Sequence, residues 1–178
     1  MIKVIGIDPG LADTGIGIVC GSGLKISGYA YGSISTSKAA STACRLERIY
    51  AKISRVLAEE KPDLMVVEDV FSLEKYPKSG IVLGKVCGVL LLAGTQSGVA
   101  VMELPVRQAK QILTGNGKAS KEQLEGAVRS ALCAPAPIRP FHASDALGLA
   151  LIGLFRYQPK SKVDQEILQG LKSDDRIS

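Results

Sequence analysis

Tryptophan is absent from this 178-residue chain, and aromatic residues make up only 4% of it. The core must therefore be aliphatic, built from Val, Ile, Leu and Ala. Cysteine is sparse and scattered: Cys20, Cys44, Cys87 and Cys133 form no C-x-x-C pair. That spacing argues against a zinc site or a disulfide framework, and predicts buried free thiols in a reducing compartment. Long apolar runs are missing too. The longest, residues 86–93, is interrupted by Gly88 and falls well short of the ~20 residues that span a bilayer. No signal-type region develops before Asp8 interrupts the first apolar stretch. These features predict a soluble cytoplasmic protein without a membrane partner. Neither an internal repeat nor a low-complexity segment is present.

The length favours one domain with one substantial core. The net charge of +5 fits a polyanionic partner without requiring one. Between Pro105 and Pro140 six basic residues (Arg107, Lys110, Lys118, Lys121, Arg129 and Arg139) face only Glu122 and Glu125.

Hydrophobic periodicity predicts the order of elements. Residues 2–7, 14–20 and 24–34 read as a three-stranded antiparallel meander. Leu46, Ile49, Tyr50, Ile53, Val56 and Leu57 recur at helical spacing. A strand over 64–67 follows, then a polar loop over 71–79 containing Pro77. Residues 81–94 read as a helix that is apolar on more than one face, which suits a subunit interface or a central core position. Another strand is expected over 99–104. Helices over 106–113 and 120–132 flank a loop with Gly115 and Gly117, and a last helix covers 143–155. Residues 1–157 thus form the domain, and 158–178 a polar tail with a possible short helix near 163–171.

Two separate buried strands run directly into an acid, Asp8 and Glu68. Side by side at the carboxyl ends of parallel strands, two carboxylates repel unless a proton or cation lies between them. Hard divalent cations choose such oxygen ligands. Each acid alone could serve a turn or a surface pair; both together after buried strands favour a metal site. His142, the sole histidine, and Asp145 lie three residues apart near the start of the last helix and share one face.

These residues carry a resemblance. Gly6-Ile7-Asp8-Pro9-Gly10 with Thr14-Gly15 resembles the opening motif of the RuvC family of Holliday junction resolvases. Val67-Glu68-Asp69-Val70-Phe71 resembles its second motif. The segment from Leu104 to Lys110 and the loop from Gly115 to Lys121 resemble its basic region. His142-Ala143-Ser144-Asp145-Ala146-Leu147 resembles its last acidic motif. The four segments occur in order over nearly the whole chain to Tyr157.

The resemblance implies a ribonuclease H-like α/β fold, a mixed five-stranded sheet flanked by helices. It implies symmetric, metal-dependent hydrolysis of four-way DNA junctions in recombination and repair. It further implies a homodimer, and RuvA and RuvB branch-migration proteins as partners. Asp8, Glu68, His142 and Asp145 become the catalytic and metal-binding set, with two Mg²⁺ per site and Mn²⁺ able to substitute. Asp8 would bridge the ions. Phe71 would stack on a base, with Lys75, Lys78, Arg107, Lys110, Lys118 and Lys121 as further DNA contacts. One departure stands out: the family often has Asp where this chain has His142. Three rivals are a ribonuclease H-like nuclease acting on RNA or hybrid, a non-catalytic junction-binding module, and an ATPase of the actin type. The last needs two such domains, more than this length allows.

Overall fold

Glycine and β-branched residues alternate through the first 35 positions, and they form β1 (Ile2–Asp8), β2 (Asp13–Ser22) and β3 (Lys25–Ser35). The three pair antiparallel, as expected from the sequence. In this computed structural model, residues 1–69 and 77–157 are described. The expected tail, its possible helix and the loop carrying Phe71 and Lys75 lie outside them.

After α1 (Thr42–Glu60), β4 (Leu64–Asp69) adds parallel to β1, with Val4 to Ile7 opposite Leu64 to Val67. After α2 (Pro77–Gln96), β5 (Ala100–Pro105) adds parallel to β4. The sheet order is β3-β2-β1-β4-β5. The chain closes with α3 (Val106–Thr114), α4 (Lys121–Ala131) and α5 (Phe141–Arg156).

Side chains alternate between the faces of a sheet, so each strand feeds two cores. Ile5, Ile7, Met65 and Val67 pack with Ile49, Ile53 and Leu57 of α1 and Val86, Leu90 and Ala93 of α2. Val4, Leu64 and Val66 pack on the opposite side with Ala109 of α3, Leu124 and Val128 of α4, and α5. The result is a sheet between two helical layers.

α5 approaches the sheet unusually closely because glycine lines its bed. A Cβ built on Gly6 would come within 2.0 Å of the Ala146 carbonyl oxygen. One on Gly17 would come within 2.4 Å of the Leu147 nitrogen, and one on Gly15 within 2.0 Å of the His142 carbonyl oxygen. All are closer than carbon can approach, so only glycine allows this seating.

Several expectations need correction. Pro77 to Ser79 belong to α2 and not to a loop; proline is well suited to the first helical turn, where its missing N–H costs nothing. α5 begins at Phe141, two residues earlier than its apolar pattern suggests, which puts His142 in the first turn. The cysteines are free, but only Cys87 is buried; Cys20 is half-buried, and Cys44 and Cys133 are exposed. The short apolar run also understates its helix. Residues Ser79–Gln96 are long and apolar enough to cross a membrane by length and composition. That helix instead lays Val86, Leu90 and Ala93 on the sheet, carries an exposed Lys85 mid-helix, and leaves Ile81 and Leu92 at 63% and 51% exposure.

Candidate active site

The site forms where β1 and β4 end. Val4 packs on the α5 side of the sheet and Gly6 lies against Ala146; alternation puts Asp8 on that side too. Leu64 and Val66 face the same way, and Glu68 follows them by the same step. Because Ile7 lies opposite Val67 in a parallel ladder, Asp8 and Glu68 emerge as neighbours.

α5 completes the group from above. Gly15, directly opposite Asp8 in the ladder, lets the His142 backbone settle beside it. His142 Nδ1 then lies 2.6 Å from Asp8 Oδ2. Asp145 sits one turn further along the same helix face. Glu68 hydrogen-bonds with Asp8. The four residues singled out from the sequence therefore meet at one edge of the sheet.

Their electrostatics show the cost of that meeting. Burial pushes the Glu68 carboxyl up to about 9, aided by its hydrogen bond with Asp8 and the negative charges of Asp8 and Asp145. Burial and the Asp8 charge push Asp145 up to about 6. His142 is raised above its ordinary value, chiefly by its hydrogen bond to Asp8. Lys110 opposes the shift at Glu68, and Lys121 and Lys110 oppose that at Asp145. Protons and one imidazole thus offset carboxylate repulsion here.

The donor set suits a divalent cation. Three carboxylates supply hard oxygen ligands. Among the described residues, Asp145 Oδ1 is buried without a hydrogen-bond partner, an arrangement that burial penalises unless something polar meets it. As they stand, the described His, Cys, Asp and Glu residues include no group of three drawn tightly enough to encage an ion. The Asp8–His142 and Asp8–Glu68 hydrogen bonds hold the groups in that arrangement.

The basic residues separate into distinct roles. Lys110 is half-buried and donates to the Ala119 carbonyl at 2.7 Å, tying α3 to the start of α4 beside the carboxylates. Lys121, the first residue of α4, is exposed, as are Lys118 in the preceding loop and Arg107 on α3. Lys78 lies in the first turn of α2. Arg129 is drawn to the buried Glu125, with Nε 3.3 Å from its carboxylate, although the pair lacks hydrogen-bond geometry. Arg139 lies 4.1 Å over the Phe141 ring. Arg129 is thus committed to a buried partner, whereas Arg139 stays exposed and adds to the open basic surface.

Sequence reading missed three supporting groups. Gly15 makes room for His142, and the tight packing of Gly6, Gly15 and Gly17 was visible only as small residues in a strand. Thr14, fully buried, donates to the Gly10 carbonyl at 2.7 Å and closes the loop after Asp8. Lys110 is partly a structural strut, which nothing in its spacing signals.

Comparison with known proteins agrees with this geometry. The family profile described as crossover junction endodeoxyribonuclease RuvC matches residues 4–153. The chain belongs to the RuvC family. A RuvC of Geobacter sulfurreducens is 40% identical over 150 residues, covering 84% of this chain and 90% of the relative. A RuvC of Chlorobium phaeovibrioides is 36% identical over 168 residues, 94% and 88% of the two chains. Among solved structures, Thermus thermophilus RuvC in complex with Holliday junction substrate superposes with a TM-score of 0.80. It is 33% identical, over 87% of this chain and 94% of that one. The yeast mitochondrial resolvase Ydc2, at 12% identity and a TM-score of 0.58, shares the fold. The architecture is thus the ribonuclease H-like one of RuvC enzymes, as the motifs imply, and the chain is a crossover junction endodeoxyribonuclease by family.

Proposed function

We propose that this RuvC-family chain resolves four-way DNA junctions by hydrolysing one phosphodiester in each of two opposed strands, in recombination and repair. The observation that carries the catalytic assignment is the convergence of Asp8, Glu68, His142 and Asp145 at one sheet edge around an unpartnered, buried carboxylate oxygen. Two divalent ions, Mg²⁺ or Mn²⁺, are the cofactors that this donor set suits; when bound, they supply Lewis-acid stabilisation of the phosphate and an acidified water.

The chain's own residues do the rest. Asp8, between Glu68 and His142, is the central ligand. Glu68, once deprotonated, would serve as a further ligand, and the nearby Lys110 charge favours that ionised form. Asp145 offers the oxygen that has no other partner. His142 holds Asp8 through Nδ1 and orients it, which makes the set one negative charge poorer than four carboxylates. The exposed Arg107, Lys118 and Lys121 are suited to phosphate contacts, which position a substrate without reading its sequence. Phe71, Lys75 and Lys78 belong to the segment that would meet the junction centre, on the strength of the family motif.

A homodimer would place two such sites on two strands. Its interface is the outer face of α2, where Ile81 and Leu92 stand exposed and Val82 and Leu83 half-buried. RuvA and RuvB are the expected partner proteins, in the cytoplasm.

The test is cleavage of a synthetic four-way junction, a plain duplex and an RNA–DNA hybrid, with and without Mg²⁺. Junction-selective, metal-dependent cutting is expected. Asp8→Asn should abolish it while leaving junction binding nearly intact, since lysine–phosphate contacts provide affinity. Preferential cutting of hybrid, or binding without cutting in either metal, would overturn the reading.

A further inference from the structure

The basic α3–α4 region is one of two cationic rims. Between Thr36 and Val56 the chain carries Lys38, Arg45, Arg48, Lys52 and Arg55 against a single acid, Glu47. Three of these, Lys38, Arg45 and Arg48, gather at the carboxyl edge of the sheet. β3 ends there at Ser35, and α1 starts there at Thr42.

Hydrogen bonds join this group to the catalytic loop. Arg45 Nε donates to Thr36 Oγ1 at 2.8 Å. Thr36 Oγ1 donates in turn to the Leu11 carbonyl, and the Thr36 amide to the Ala12 carbonyl. Leu11 lies three residues beyond Asp8. Arg48 Nε donates to the Ser35 carbonyl at 3.1 Å. Each guanidinium is thus pinned through Nε. Among the described residues neither forms an ion pair, so the paired terminal nitrogens are left to meet an anion. Asp13, opposite Ser35 in the ladder, already accepts from the Ser35 hydroxyl. Lys38 and Arg48 are exposed and Arg45 half-buried.

A purely structural role explains these residues poorly. No acid occupies the first turn of α1, and arginines close to a helix start oppose its dipole. Lysine or arginine there costs the helix stability. Planar guanidinium groups held in fixed orientation are well matched to phosphate oxygens.

We propose that Lys38, Arg45 and Arg48 form a second phosphate-binding rim, which grips the DNA backbone on the α1 side of the active site, opposite Arg107, Lys118 and Lys121. This rests on the junction-cleaving reading above. β3 lies two strands from β1, about 10 Å at ~4.8 Å per strand. Each strand carries one phosphate per ~3.4 Å of helix axis, so the gripped phosphates lie within about three nucleotides of the one being cut. The two rims belong to the two helical layers, so the backbone would be held from both sides of the sheet edge.

The experiment measures junction affinity against salt concentration in Ca²⁺, for the full chain, Arg45→Gln/Arg48→Gln and Lys38→Gln/Arg48→Gln. The second pair changes only exposed side chains and does not disturb the Thr36 contact. Each lost contact should flatten the log–log salt slope by about 0.9, so each double variant should lose about 1.8. Phosphate-ethylation interference should lose its signal within about three nucleotides of the cut. Slopes and interference pattern matching the parent in folded variants would overturn the proposal. If the parent itself prefers no junction over duplex, the functional reading fails instead, which is a separate outcome.

Discussion

At the residue scale, Glu68 is the clearest conflict between stability and function. Its native carboxyl holds its proton up to about 9, far above the unfolded range. A raised folded value means that stability is fully present below about 4.5 and falls as pH climbs towards 9. Glu68→Gln, permanently neutral, should therefore melt higher than the parent without metal. The gap should grow from pH 5 to pH 8. Calorimetry checks this; Mg²⁺ should narrow the gap by stabilising the parent more, and cleavage by the variant should vanish. His142 loses its contribution in the same direction, although there the charged form is the favoured one. Its raised value means that its pair with Asp8 contributes most below about 6.5, and that this fades as pH rises through the folded value. His142→Ala should lose stability near pH 5.5 and little at pH 8.5. In cleavage, His142→Asp should stay active and shift preference from Mn²⁺ towards Mg²⁺, because imidazole suits transition metals and carboxylate suits Mg²⁺. A metal-by-pH matrix in which His142→Ala equals the parent would reduce the working site to three carboxylates. The grouping of Asp8, Glu68, His142 and Asp145 was legible in the sequence because an acid directly after a buried strand, or two donors at i and i+3, leaves a pattern. Their protonation was not, since it depends on distances across 134 positions.

At the element scale, α5 owes its seat to glycine. Gly15→Ala would push a methyl into the His142 backbone. It should destabilise the fold by at least the ~1–3 kcal/mol typical of overpacking and depress cleavage further by moving His142. Gly28→Ala on the same sheet meets nothing within 4 Å and is the matched control. α3 and α4 invite a second comparison. Lys121→Ala should flatten the salt slope of junction binding by about 0.9 with an unchanged melting temperature. Lys110→Ala should also lower the melting temperature, since it removes the strut to Ala119. Every strand and helix among the described residues was readable from periodicity. Boundaries failed where a terminal turn has no apolar signal: Pro77 to Ser79, and Phe141 with His142. Thiol burial failed because Cys44 sits on the exposed side of α1 and Cys133 in the turn after α4, where small neighbours look like core in one dimension.

At the scale of the whole molecule, the outer face of α2 is the main unfinished surface. Its inner face is committed to the sheet, yet Ile81 and Leu92 remain open to solvent. Sedimentation should find a dimer at micromolar concentration, and Leu92→Lys should shift it towards monomer without loss of helix content. A monomeric parent under those conditions would remove α2 as the interface. The sequence showed that this helix was apolar on several faces but could not assign them, because which face meets the sheet depends on where α1 packs. The seating of α5 on β1 and β2 has a temporal consequence. β1 is covered by α5, more than 130 residues further along the chain, and contacts so remote in sequence form slowly. A nascent chain that ends before Phe141 lacks both the cover on this side of the sheet and two of the four proposed ligands. On that assignment, no cutting ability exists until α5 has been made.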